Sequence, residues 1–234
     1  MPRPARIAPL AAGACALLIT APLHAAFVSP QSWTRAADGT TYQAWDTFAA
    51  TTDAAPDVAG STNPSGTARL TENTGQAFVT GGGNIYSFAA ATNFTVTVPE
   101  ADVPTPPHHV TAIVQLRTQG SELDYDSILL NGQAPVDSAE LDRDTLGGFG
   151  GALVDSWHLF NLDYADFGDG VPGVKNLTLT FAAADSSMSL DRLAIDTAVR
   201  PFGFYDEPNP VPEPAGLALL GVAGLLALGR RRSA

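Results

Sequence analysis

Phe94-Thr95-Val96-Thr97-Val98 and Leu177-Thr178-Leu179-Thr180-Phe181 place an apolar residue at every second position. A period of two sends alternate side chains to opposite sides of an extended chain, so each stretch reads as a β-strand with one face on a core and one in water. Two such faces bury their apolar sides against each other, which predicts a pair of packed sheets.

Outward from these two stretches, short apolar and β-branched runs continue from Trp33 to Thr197 between Gly, Pro, Asn and Asp, with no helical period sustained over three turns. Strands are expected at residues 41–49, 68–70, 77–80, 84–88, 93–98, 110–118, 124–130, 154–162, 174–183 and 189–196. Asn131-Gly132 after Ile128-Leu129-Leu130 is a tight-turn signal, and Pro104 to Pro107 interrupt the chain between strands. The expected fold class is all-β: a single jelly-roll-like antiparallel β-sandwich over residues 27–198.

Both ends of the chain read differently. Residues 1–26 have the form of a signal peptide: Arg3 and Arg6, an apolar stretch from Ile7, then small residues with Pro22, with cleavage expected after Ala25 or Ala26. Cys15, the only cysteine, sits inside that signal helix, so the mature chain is expected to hold no disulfide. At the other end come Val211-Pro212-Glu213-Pro214, an apolar run from Ala215 to Gly229, and Arg230-Arg231-Arg232. As a helix that run spans roughly 22 Å at ~1.5 Å per residue, short of the ~30 Å hydrocarbon core, so it is a short transmembrane helix suited to transient insertion. Its arginines mark the cytoplasmic side and leave the preceding domain outside. Residues 199–210, with Pro201, Pro208, Pro210, Asp206 and Glu207, are expected to form an extended acidic spacer.

The end of the chain resembles the PEP-CTERM sorting signal of Gram-negative bacteria: Pro212-Glu213-Pro214, the apolar run and the basic cluster match it without a gap over residues 211–234. The resemblance implies recognition by an exosortase, a multi-spanning membrane enzyme that cleaves near the motif, in organisms that also secrete exopolysaccharide. The stretch from Val110 to Gly132 is similar to that of other surface proteins with this tail, and Met188 to Thr197 resembles the last strand of galactose-binding-type jelly rolls. No sugar-binding residue is carried across on that second likeness.

Charge narrows the partners. Residues 27–210 hold seven basic against 23 acidic side chains, a net charge of −16, which repels phosphate backbones and anionic headgroups and argues against nucleic acid. Calcium is the only cofactor the residues bring into view. Asp163, Asp166 and Asp169, with Asn161 near and Gly168, Gly170 and Gly173 interleaved, make the most oxygen-dense loop. Their spacing of three is not that of an EF-hand, and a solvated acidic turn is the alternative. Glu122, Asp124 and Asp126 open one strand, and Asp137, Glu140, Asp142 and Asp144 crowd the loop expected after it, where water or a cation would separate them.

Among other chemistry-bearing residues, adjacent His108 and His109 point apart and read as an exposed loop pair, and His158 reads as a hydrogen-bonded structural residue within a strand. No Gly-x-Ser-x-Gly turn is present for a serine nucleophile, and no carboxylate pair is singled out for glycoside hydrolysis. Trp45 and Trp157 are expected to fill the core, whereas Tyr125 and Tyr164, each beside aspartate, are the candidates for a carbohydrate-facing loop. These features describe an exported cell-surface or matrix protein that is not an enzyme, with the secretion machinery and an exosortase as partners and exopolysaccharide as its ligand. A purely structural surface protein and a secreted polysaccharide-acting enzyme are the rival classes.

Overall fold

A computed structural model of the chain describes residues 27–100, 108–147, 150–163 and 175–210. It contains strands β1 (Thr40–Trp45), β2 (Arg69–Glu72), β3 (Phe78–Val79), β4 (Ile85–Tyr86), β5 (Asn93–Glu100), β6 (His109–Gly120), β7 (Leu123–Leu130), β8 (Asp137–Thr145), β9 (Ala152–Asp163), β10 (Lys175–Ala183) and β11 (Met188–Arg200), and no helix among the described residues. They form two antiparallel sheets. The larger runs β3-β4-β11-β6-β9-β8, with β1 also pairing β11, and the smaller runs β2-β5-β10-β7.

The two alternating stretches are neighbours in the smaller sheet, with Phe94 opposite Phe181 and Val96 opposite Leu179. Their apolar side meets Val110, Val114 and Leu116 of β6, Phe160 and Leu162 of β9, and Leu193 and Ile195 of β11 in one core cluster. The Phe94 and Phe181 rings stack with centroids 4.9 Å apart. The architecture is therefore the expected β-sandwich, and Trp45 and Trp157 are fully buried in it.

One strand was not foreseen. Asp137, Glu140, Asp142 and Asp144, read as loop residues, lie on β8 at the edge of the larger sheet, paired with β9. Carboxylates are poor strand formers in isolation, but on an edge they stay solvated and discourage pairing with another chain. The apolar Ala139 and Leu141 hold the strand down, Leu141 at the register shift between Glu140 and Asp142.

The larger sheet is covered on its second face as well. Trp33, Ile113, Leu141, Trp157, Leu159 and Ala198 form a separate cluster there, with Val28 and Tyr205 packed against it. Residues 201–210, expected as part of a spacer, lie back across this face, and β11 takes residues 199 and 200. The Tyr205 N–H donates to Thr111 Oγ1 at 2.9 Å, and the Trp33 and Tyr205 rings are 5.2 Å apart. The Glu207 carboxylate accepts the N–H groups of Gln31 and Ser32 at 2.7 and 2.8 Å. Prolines that stiffen a free linker here set the path of a docked segment.

Beneath these segments Arg35 grips the fully buried Asp196 carboxylate through Nε and Nη2 at 2.5 and 2.8 Å. Burial pushes the Asp196 pKa up although Arg35 opposes the shift. Arg35→Ala leaves that carboxylate buried and unpaired, a loss of about 3 kcal/mol in urea unfolding, and adding Asp196→Asn should restore more than half of it. An unchanged midpoint for Arg35→Ala would show that the N-terminal segment does not hold the sheet.

Candidate functional site

Three turns converge at one end of the larger sheet: Gly120–Ser121 between β6 and β7, Gly150–Gly151 before β9, and Ser187 before β11. Gly120 and Gly151 have φ of +94° and +93°, values open to glycine and strained for other residues. A Cβ on Gly120 would collide with the Ser187 carbonyl oxygen, and one on Gly151 with the Gly120 carbonyl. Ser187 itself has a φ of 70°, held by its N–H donating to Ser87 O at 2.7 Å and its carbonyl accepting from Ser121 N at 3.3 Å.

Above this backbone floor a row of side chains crosses the outer face. Phe78 of β3 is opposite Tyr86 of β4, Tyr86 is opposite Ser189 of β11, and Ser189 is opposite Gln119 of β6. Their chain neighbours Ile85, Met188 and Leu190 enter the core, so alternation turns this row outward. Strands in a sheet lie about 4.8 Å apart, and the row runs across four of them.

The groove so formed has a volume of about 680 Å³, within the range of about 300–1,000 Å³ common for ligand sites. Thr80, Asn84, Gln119, Ser121, Ser187 and Ser189 contribute hydroxyls and amides, Tyr86 and Leu146 contribute apolar surface, and no charged side chain lines it among the described residues. On its rim Phe88 is 70% exposed and Phe78 44% exposed. Their rings and that of Tyr86 stand 5.8 to 6.4 Å apart as a trio. Phe78 and Phe88 thus leave clustered aromatic surface in contact with water at this end of the sheet.

Two residues further along β6, and three along β11 past its register shift, lies a charged row of Arg192, Arg117, Asp155 and Asp142. These charges engage each other. Arg117 holds Asp155 with two bonds of 2.6 Å, which raises the Arg117 pKa, and Arg192 bonds Asp46, lowering that carboxyl's pKa. Burial raises the pKa of Asp191 beside them.

Of the residues singled out in the sequence, Tyr125 lies elsewhere, at the seam between the two sheet edges. It lines a pocket of about 210 Å³ with Ser138, Glu140, Ser156 and His158, small for a ligand site. His158 Nδ1 is 3.0 Å from Ser138 Oγ, and its Nε2 is 3.0 Å from Ser156 Oγ. Ser156 Oγ donates to the Leu116 carbonyl at 3.5 Å, so it accepts from Nε2–H and leaves Nδ1 to accept the Ser138 hydroxyl. Burial lowers the His158 pKa to about 4, so this relay rests on a neutral imidazole. Nearby, Arg143 holds both Glu122 and Glu140 at 2.7 Å, filling the place in which a cation was considered.

Asp163 ends β9 with its carboxylate 2.6 Å from His109 Nδ1 on β6, so His109 is a strand residue with a partner and not part of an open loop. Asp166, Asp169, Tyr164, Val211, Pro212, Glu213, Pro214 and Arg230, Arg231 and Arg232 lie outside the described residues. Among the described residues no three of His, Cys, Asp and Glu gather to hold a metal ion. Apart from Tyr86, an aromatic able to stack on a sugar ring if exposed, the groove residues do not stand out in the sequence because they are dispersed from Phe78 to Ser189 and are individually ordinary. The only local signal was the spacing of Phe78, Tyr86 and Phe88, large apolar residues near strands too short to bury them.

Comparison with family models, characterised proteins and solved structures gave no match. What the groove does is read from its own side chains.

Because the folded His158 pKa lies below its ordinary 6.5, at about 4, the unfolded chain takes up the proton first as pH falls. The contribution is complete above pH 6.5 and is lost by about pH 4, a change of about 3 kcal/mol. Unfolding curves across that window should show this loss in the wild-type chain and a flatter profile in His158→Gln. Parallel profiles would mean that the histidine is not held neutral between its serines.

Proposed function

We propose that the chain is an exported cell-surface or extracellular matrix protein, processed through its PEP-CTERM tail, whose jelly-roll-like sandwich binds polysaccharide in the groove at the end of the larger sheet. The observation that carries the binding reading is the aromatic trio of exposed Phe78 and Phe88 and half-buried Tyr86 beside a groove of hydroxyls and amides. Aromatic faces stack on the C–H faces of sugar rings, while hydroxyl and amide groups both donate and accept hydrogen bonds, as sugar hydroxyls do. The lining supplies hydrogen bonds and stacking surface, the requirements of a binding site.

Export and sorting are supported by the residues at each end: Arg3 and Arg6 before an apolar stretch, and Val211-Pro212-Glu213-Pro214 before the apolar run and Arg230-Arg231-Arg232. The secretion machinery and an exosortase are the implied partners, and exopolysaccharide the implied ligand. The jelly-roll reading draws on the smaller sheet's order β2-β5-β10-β7, in which the chain leaves for the other sheet between neighbouring strands. Glu207 and Pro210 are buried, so cleavage at or beyond the motif leaves the docked segment in place.

On a glycan array the secreted chain should bind polysaccharide. Tyr86→Ala and Phe88→Ala should each weaken binding about tenfold, while Tyr125→Ala leaves it unchanged. An empty array would favour the purely structural alternative. Mass spectrometry of the mature protein should find a C-terminus lacking Arg230, Arg231 and Arg232; a mature form that keeps them contradicts the sorting reading.

A further inference from the structure

We infer that the groove selects neutral glycan chains and binds them without a metal ion, an inference that rests on the glycan-binding reading. The chain carries 36 charged residues in 234, yet none of the twelve described residues lining the groove is charged. An anionic glycan, whether a uronate, sulfate or phosphate polymer, would find no cation in the lining. The charged row beside the groove holds Asp142 and Asp191 next to the pairs Asp155–Arg117 and Asp46–Arg192, so both of its guanidinium groups already have carboxylate partners. A domain of net charge −16 repels an anionic chain.

The same composition removes the usual reason for calcium in sugar recognition. A bridging divalent cation takes oxygen ligands rich in carboxylates, and the groove offers hydroxyls, amides and backbone. What remains is stacking on Tyr86 and its neighbours, followed by neutral hydrogen bonds along Ser189 and Gln119. Those two lie side by side on β11 and β6 and extend the aromatic row in a straight line across the strands. Such contacts are insensitive to ionic strength, because no ion pair is formed or screened.

Affinity electrophoresis of the full secreted chain through gels containing a neutral β-glucan, a neutral galactomannan or polygalacturonate tests this, each with and without chelator and raised salt. Retardation is expected in at least one neutral gel and not in polygalacturonate, unchanged by chelator or salt. Gln119→Ala, an exposed position whose loss leaves the fold intact, should weaken it about fivefold. Retardation by polygalacturonate that Gln119→Ala abolishes, or neutral binding that chelator abolishes, would overturn the inference and leave polysaccharide binding standing. No retardation in any gel would overturn both.

Discussion

At one end of the larger sheet three turns touch backbone to backbone, and they can do so only because Gly120 and Gly151 carry no Cβ. This contact fixes where β6, β9 and β11 begin or end, and those are the long strands of the molecule, with 12, 12 and 13 residues. It also sets which residues stand beside each other in the last rows. Gln119, Ser189 and Tyr86 become neighbours because Gly120 turns the chain immediately after Gln119, and Ser187 brings it back two residues before Ser189. A larger residue at either glycine would lift one turn off another and fill the groove from below.

The long strands demand cover on both faces. The inner face is met by the smaller sheet, whose alternating Thr and apolar residues supply one buried side each. The outer face is met by the ends of the described chain, and here polar groups are buried with matched partners: Arg35 on Asp196, Gln115 on the Val28 backbone, and Glu207 on the N–H groups of Gln31 and Ser32. Deeper still, Thr41, Thr197 and Glu100 form a buried chain of hydrogen bonds between the sheets. Unpaired, each of these groups would cost more than the apolar contacts around it return. Paired, they fix the path of both ends without a disulfide. Among the described residues, the aromatic strip and groove at the glycine end lie outside this cover.

Much of the fold was legible in the sequence because burial on one face imposes a period of two, plain in Phe94 to Val98 and in Leu177 to Phe181. Strand β8 was not legible, since an edge strand needs little apolar content and its four carboxylates imitate a loop. The docked path of residues 201–210 was hidden for a related reason: prolines and acids mark both a free spacer and a segment pinned by Glu207. The candidate site was the least legible part. Its residues are serines, a glutamine and glycines far apart in the chain, and pairing of β4, β11 and β6 alone brings them together. Tyr125, chosen for its flanking aspartates, sits instead over His158 at the seam between the sheets, because flanking charge reports solvent exposure and not the shape of a surface.

The most direct test of a glycan site at the glycine end is an amide NMR titration of the secreted chain with a neutral oligosaccharide. The account predicts saturable shifts at Gln119, Gly120, Gly151 and Ser189, with the amides of Tyr125, His109 and Asp163 unmoved. Shifts centred on Tyr125 or Asp163, or none at any concentration, would contradict it.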